Sequence, residues 1–568
     1  MKKLSSILVL IFCLIPFVAS AWILRDEFNT ALSAGSVNNT TSEPSGHTRT
    51  VIDTENKLSI ADGKLTFSGG KALNDPGMKY PGITTQQGTV LLSCLSTFTS
   101  GITYIGLNND NEIDKTIGIT PNAGKWFSVE FGDDLPLTIT SFPSCLAVTF
   151  SQLGHMWFGK DGESAYWKLG RVDKRTLLAA TVYPVFGGHS LVGTFDFLRI
   201  PTTLWLPTPL ASDGFGTAGV TDGLGHAEGV AGGIGSGGGG LAWQSGGTTW
   251  SVSGGKAVNT PTVGDTSLWD AGADTFESGT YGWIKYGNNT VENDNGKLKI
   301  TYVDNKNGAY NALKALYSDL SQDLTIGQWY MFTADMMTAQ AEQGDAVYIS
   351  HSGTIMNVAW VTSNTMTPYN ISFRALSTNG SVVYIGVMAS GDVFYMDNIS
   401  LKPLTLSELV NTVQTSTPDI IATVNIPTAI TRGSWYGLAL NVDSATDPQN
   451  MVIGLTNTYT ATLTKMVNGV WTEVISGNIT WVSNAELRVI KDGTTYRLYY
   501  NNALVGTATI SDASIINNTR HGLFSTDAAN TLDNFTLYAR GTGNEYNILN
   551  QLMSTTVGGS LNLLGVGK

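Results

Sequence analysis

Two runs of alternating side chains broken by an Asn-Gly or Asp-Gly pair leave a chain few options besides a β-hairpin, and this sequence uses the device repeatedly. Residues 461–467 alternate up to Asn468-Gly469, and residues 470–475 resume the alternation behind it. Residues 486–490, the pair Asp492-Gly493, residues 496–500, the pair Asn501-Asn502 and residues 504–510 continue the pattern as a meander. A 3.6-residue period is barely present; 405–414 and 545–553 are the stretches read as short helices. The expectation is an all-β protein.

Three features recur in a telling order. An opener, an acid followed two residues later by Phe, occurs at Asp26-Glu27-Phe28, Asp213-Gly214-Phe215 and Asp274-Thr275-Phe276. A hairpin centred on Gly-Lys occurs at 58–65, 250–257 and 291–298. A closing strand occurs at Phe195-Asp196-Phe197, Met396-Asp397-Asn398 and Leu532-Asp533-Asn534. The first set is complete between 24 and 200. The second opener and hairpin meet the third opener before any closer arrives, and the last closer has no opener. The predicted organisation is therefore a domain at 22–205, a discontinuous domain formed by 206–269 and 405–541, and a smaller domain at 270–404 inserted into it. Four consecutive domains would instead leave a piece of about 60 residues with too few strands to cover a core.

Composition narrows the partners. The 568 residues carry 45 acidic and 32 basic side chains, a net charge of −13, so a phosphate backbone is a poor match and nucleic acid is excluded. Charged residues make up 14%, well under the usual quarter or so, which suits sandwiches with polar but uncharged faces. Lys2 and Lys3, the apolar run 7–18 and Ala19-Ser20-Ala21 read as a secretory signal peptide over 1–21. The run is too short for a comfortable membrane span, so the mature protein is expected outside the cell, secreted or surface-bound, and not membrane-spanning. Cys94 and Cys145 then remain. A disulfide and a pair of buried thiols on neighbouring strands both stay open. No Cys or His spacing suggests zinc.

The block 419–537, with "KMVNGVWTEV", "LRVIKDGTTYRLYYNNALVG" and "LDNFTLY", resembles the laminin-G-like, concanavalin A-like jelly rolls. The first domain looks like a more distant member of that superfamily. The insert is similar to carbohydrate-binding modules of families 4 and 9 through "DTFESGTYGW", "GQWYMFTADM" and "FYMDNISLKPL". The resemblance implies two jelly rolls, the second interrupted by a smaller carbohydrate-binding-module-like sandwich. It implies glycan binding, with polysaccharide or glycoconjugate as partner. In modules of this type an acid near the first strand and one on the last often hold a structural Ca²⁺, which carries over to Asp274, Glu277 and Asp397. Trp283 and Trp329 match positions usually found in the core. By the same resemblance, Asp213 with Asp533 is the corresponding acid pair of the host.

Catalysis has little to stand on. The jelly-roll superfamily includes family 16 glycoside hydrolases, which place a nucleophile and an acid/base glutamate on one strand as Glu-x-Asp-x-(x)-Glu. Glu112-Ile113-Asp114 begins this pattern, but Lys115, Thr116 and Ile117 follow and the second glutamate is missing. The glycine-rich stretch 233–238 lacks the strand and helix of a dinucleotide site. Sugar recognition asks for flat aromatic rings flanked by amides and cations. The insert offers Tyr302, Tyr310, Tyr348 and Trp360, with Asn305, Asn307, Asn311 and Arg374 beside them. The leading expectation is a non-catalytic, lectin-like adhesion protein. The alternatives are a structural or attachment component that self-assembles or docks through the tail 542–568, and a polysaccharide-cleaving enzyme.

Overall fold

The computed structural model describes residues 22–539, apart from 71–75, 109–116, 129–133, 139–143, 151–154, 161–165, 172–180, 203–208, 216–240, 270–274, 304–312, 317–319, 340–344, 377–380, 387–390, 429–433 and a few isolated positions. Residues 1–21, the glycine-rich stretch 233–238, Glu112, Asp114 and the tail 542–568 lie outside the described residues. The fold is all-β, built from antiparallel sheets packed as several sandwiches. No helix among the described residues is long and apolar enough to cross a membrane. The chain divides near residue 206 into two compact units.

The N-terminal unit is organised by two long strands, Val90–Asn108 and Thr181–Pro201, paired over most of their length. The strand Trp22–Asp26 pairs with the end of Thr181–Pro201, so opener and closer are neighbours. Phe67, Phe186 and Phe195 pack ring against ring beneath them, with Phe28 against Phe186. Cys94 and Cys145 face each other across adjacent strands and are joined as a disulfide, which decides between the two readings left open above.

The recurrent sequence features have a physical cause. Each opener Phe (Phe28, Phe215, Phe276) takes a positive φ of 50–51° and is fully buried. That conformation costs a bulky residue about 1–3 kcal/mol. Two things offset it: the buried ring, and the Asp two residues earlier, whose carboxylate accepts the Phe N–H at 3.2 Å for Asp26 and 2.8 Å for Asp213. The Gly-Lys hairpins close through two-residue turns in which both residues have positive φ: Asp62-Gly63, Gly254-Gly255 and Asn295-Gly296. Asn468-Gly469 does the same. The closers are bulges. Asn398 and Asn534 sit at φ 51° and 49°, and each preceding Asp carboxylate accepts the Asn N–H at 2.7–2.8 Å.

The C-terminal unit contains four sheets. Sheet I runs in the order Trp250–Ser253, Lys256–Asn259, Thr531–Ala539, Ile420–Thr428, Ala485–Asp492, Thr495–Tyr500, Ala503–Thr509, with Ala211–Asp213 also on Thr531–Ala539. Sheet II runs Val410–Gln414, Arg520–Ser525, Tyr436–Val442, Met451–Thr456, Thr460–Val467, Val470–Asn478. Strands from both sides of residues 270–404 thus share a sheet. Within that interval, sheet III runs Thr290–Asp294, Lys297–Thr301, Val393–Pro403, Trp329–Thr338, Thr367–Arg374. Sheet IV runs Ile284–Lys285, Leu313–Leu316, Ser381–Gly386, Asp345–His351, Thr354–Val361. The two ends of this part meet at a bridge between Val263 and Leu404.

Three apolar layers bind the four sheets together. Leu438, Leu440 and Leu463 of sheet II meet Val424, Leu487 and Phe535 of sheet I. Phe332, Phe373 and Met396 of sheet III meet Val347, Ile349 and Ile385 of sheet IV. Between II and III, Trp329, Met331 and Leu404 pack with Phe524, Met466 and Ile453. Sheet II is covered on both faces, and Tyr436–Val442 and Met451–Thr456 are buried at every position. Trp329 was expected in a module core; it belongs instead to this seam, because it alternates with Tyr330, which faces the module's own core. Polar pairs flank the seam: Asn370 Nδ2 donates to Asp527 at 3.1 Å, and Ser372 and Thr526 share a hydrogen bond at 2.6 Å. Burial pushes the Asp527 carboxyl up.

Candidate functional site

Strand alternation decides which aromatic residues of the insert can meet a ligand. Val347, Ile349, Ala359 and Val361 are fully buried between sheets III and IV. Tyr348 and Trp360, one position off, therefore stand on the outer face of sheet IV. Tyr348 is opposite Val358 and Trp360 is opposite Ala346, so the two are diagonal neighbours, with roughly 7 Å between them. Tyr384 stands opposite Tyr348 in register, and Lys314 opposite Tyr384. Tyr348 is 7% exposed, while Trp360 is half-buried and lies on the edge strand of the sheet. The Trp360 ring is thus partly accessible there, whereas Ala346 opposite it is fully buried.

The other candidates go elsewhere. Tyr302 continues the inward alternation of Leu298 and Ile300 and is buried in the core, its backbone bonded to Asp392 and Gly391. It is a packing residue, not part of the outer face. Trp283 is likewise in that core, stacked on Trp269. Arg374 lies on sheet III opposite Trp329, on the face turned to the host, with its guanidinium over the Trp471 ring. The structure does not bring it to Trp360. Asn305, Asn307, Tyr310 and Asn311 lie outside the described residues.

The acids proposed for Ca²⁺ can be placed in part. Asp397 pairs across the sheet with Asp335, and Glu277 is exposed on the turn that follows Phe276. Burial, and less strongly the charges of Asp335 and Glu277, push the Asp397 carboxyl up, against the Asn398 N–H and Lys297. Asn398 Nδ2 donates to Asp335 at 2.7 Å. Among the described residues no three Asp, Glu, His or Cys side chains gather as a metal-ligating group, and Asp274 lies outside them. Glu277 and Asp397 alone fall short of the six to eight oxygens that Ca²⁺ takes.

No family model matches the chain, and no curated protein matches it. Solved structures give distant likenesses. The carbohydrate-binding module CBM66 from Bacillus subtilis is 17% identical with a TM-score of 0.20, over 23% of this chain and 81% of that one. A tandem CBM22 domain of Xyn10C from Paenibacillus barcinonensis is 9% identical with a TM-score of 0.21, over 50% of this chain and 99% of that one. The family 16 endo-β-1,3(4)-glucanase SCLam is 10% identical with a TM-score of 0.21, over 32% of this chain and 90% of that one. No residue role is carried over from them.

Proposed function

We propose that the protein is an exported, non-catalytic glycan-binding protein whose inserted sandwich takes a sugar on the outer face of sheet IV. The observation that carries this reading is the placement of Tyr348 and Trp360 side by side on that face, with Trp360 on the open edge. A pyranose lays its C–H face on the indole, and neighbouring polar groups hydrogen-bond its hydroxyls. Such a site is shallow, so affinity per site is low and gains by multivalency. A glycan array followed by calorimetric titration tests it. Trp360→Ala is expected to weaken the best ligand by at least about tenfold while leaving the fold intact, because an outward, half-exposed ring contributes little packing. Binding that Trp360→Ala leaves unchanged would move the site off this face. A blank array at high protein concentration would favour a structural or attachment role.

A Ca²⁺ held by Asp397 with Glu277 and Asp274 is a separate part of the proposal. It predicts a thermal midpoint several degrees higher in millimolar Ca²⁺ than in EGTA, with the difference removed by Asp397→Asn. Equal midpoints in the two conditions would dispose of it.

A further inference from the structure

Arg374 is a half-buried cation with no anion paired to it among the described residues. It ends the strand Thr367–Arg374, and its guanidinium sits 4.9 Å from the centroid of the Trp471 ring. It forms no hydrogen bond or ion pair with any described residue, and its Nε is buried with no acceptor. Glu473 acts on it only through space, and burial pulls its pKa down to about 10. The contrast within the chain is sharp. Arg49, Arg199 and Arg488 are more deeply buried, and each holds a carboxylate at 3.0 Å or less. A desolvated guanidinium left open in this way is destabilising unless something else completes it.

The Trp471 ring that Arg374 covers also borders a space for that something. Trp471 walls a groove of about 300 Å³ between the insert and its host, lined also by Gln328, Trp329, Ser407, Asp447 and Gln449. The Trp329 indole N–H is a second buried donor with no acceptor, on a side chain 3% exposed. Asp447 accepts from Gln449 Nε2 at 2.9 Å, and its other carboxylate oxygen is free to take a hydroxyl. The groove therefore presents an aromatic wall, amide and hydroxyl groups and one carboxylate; Arg374 does not itself line it and is linked to it through the Trp471 ring. The matching ligand has a flat apolar face, several hydroxyls and an anionic group.

We propose that Arg374, Trp471 and this groove form a second saccharide site, specific for sugars that carry a carboxylate or a sulfate ester. The anion pairs with the Arg374 guanidinium, whose fork suits both groups, and the ring lies along the Trp471 side of the groove. This extends the glycan-binding reading to another face and another chemistry. The two remain separable because Arg374 belongs to sheet III and Trp360 to sheet IV. Since insert and host each supply a wall, the site exists only in the full chain.

The test titrates full-length protein with trigalacturonate, a sulfated galactose disaccharide and neutral cellotriose, following tryptophan fluorescence and heat. One or both acidic sugars are expected to bind, with affinity falling several-fold as salt rises. Arg374→Gln should weaken that binding at least about tenfold, Arg374→Lys should restore only part of it, and Trp360→Ala should leave it unchanged. Whichever of the uronate and the sulfate ester binds identifies the anion. If Arg374→Gln keeps full affinity, if cellotriose competes equally at this site, or if neither acid binds at millimolar concentration, the proposal is wrong. If Trp360→Ala abolishes acid-sugar binding and both Arg374 variants keep it, the ligand sits on sheet IV and the seam binds nothing. Acid-sugar binding through Arg374 with no binding through Trp360 would retain this site and remove the first.

Discussion

Arg49→Met should destabilise the N-terminal unit by about 3–5 kcal/mol, the usual cost of stranding one partner of a buried ion pair. Asp26 is fully buried and Arg49 is 1% exposed. Two parallel hydrogen bonds join them, Nε to Oδ2 at 2.7 Å and Nη2 to Oδ1 at 2.6 Å. The Tyr80 hydroxyl donates to the same carboxylate at 2.7 Å, and burial beside that charge pushes the phenol well above its ordinary range. Without Arg49 the carboxylate keeps Tyr80 and two backbone N–H donors but has no countercharge. Asp26→Asn combined with Arg49→Met should recover most of the loss, because an amide oxygen still accepts the Phe28 N–H and no charge is left behind. Urea denaturation of the single and double variants beside the parent measures this. A single-variant loss under 1 kcal/mol would mean that water or a proton reaches Asp26. At the equivalent position in the host, the Asp213 carboxylate accepts the Trp243 indole N–H at 2.9 Å.

Much of this fold was legible because its signals are local. A turn with two positive φ angles needs Asn, Asp or Gly at adjacent positions, so Asp62-Gly63, Asn295-Gly296 and Asn468-Gly469 announce their hairpins in any context. The opener is equally local: the Asp carboxylate reaches only two residues along the chain. What local signals could not supply was the seam. Trp329 and Tyr330 are adjacent aromatics in one strand, yet one faces the host and the other faces its own core. A clue was present in "YGLALNV" and "MVIGLT", apolar on both faces, as a sheet covered twice requires.

The candidate site was less legible, for a related reason. Aromatic content alone did not separate Tyr302 from Trp360. The parity of each strand did, and Leu298, Ile300 and Tyr302 share a parity that points inward. Arg374 reads in the sequence as a polar companion to the aromatics of the insert, but the Trp471 ring it covers is about 100 residues away in another sandwich. No spacing rule links them. Trp471 follows Asn468-Gly469 by two residues, so the hairpin fixes its place while tertiary docking alone brings Arg374 over its ring.

The C-terminal unit should lose stability in mild acid through one imidazole. His521 is fully buried, Asn441 donates its backbone N–H to Nδ1 at 3.2 Å, and Nε2 lies 3.4 Å from the Thr417 carbonyl. These partners require the neutral ring with its proton on Nε2, since a proton on Nδ1 would confront the Asn441 N–H. Burial, reinforced by the Lys491 ammonium and opposed by the Thr417 carbonyl and Asp419, pulls the pKa down to about 3. An unfolded histidine titrates near 6.5. Between those values the unfolded chain binds a proton that the folded one refuses, so stability falls as pH drops, by about 1.4 kcal/mol per pH unit. Asp527 works in the opposite sense: its folded pKa is raised, so it stabilises the folded form as pH falls and offsets part of the loss. From pH 6.5 to 4.5 the imidazole accounts for about 2.3 kcal/mol, since the unfolded histidine is already half protonated at the upper limit. His521→Gln keeps one acceptor and one donor and does not titrate. It should flatten the profile in that window, whatever its stability at pH 7. Urea midpoints at the two pH values, with unchanged slopes, provide the measurement; a variant that loses as much as the parent would assign the acid sensitivity to other groups.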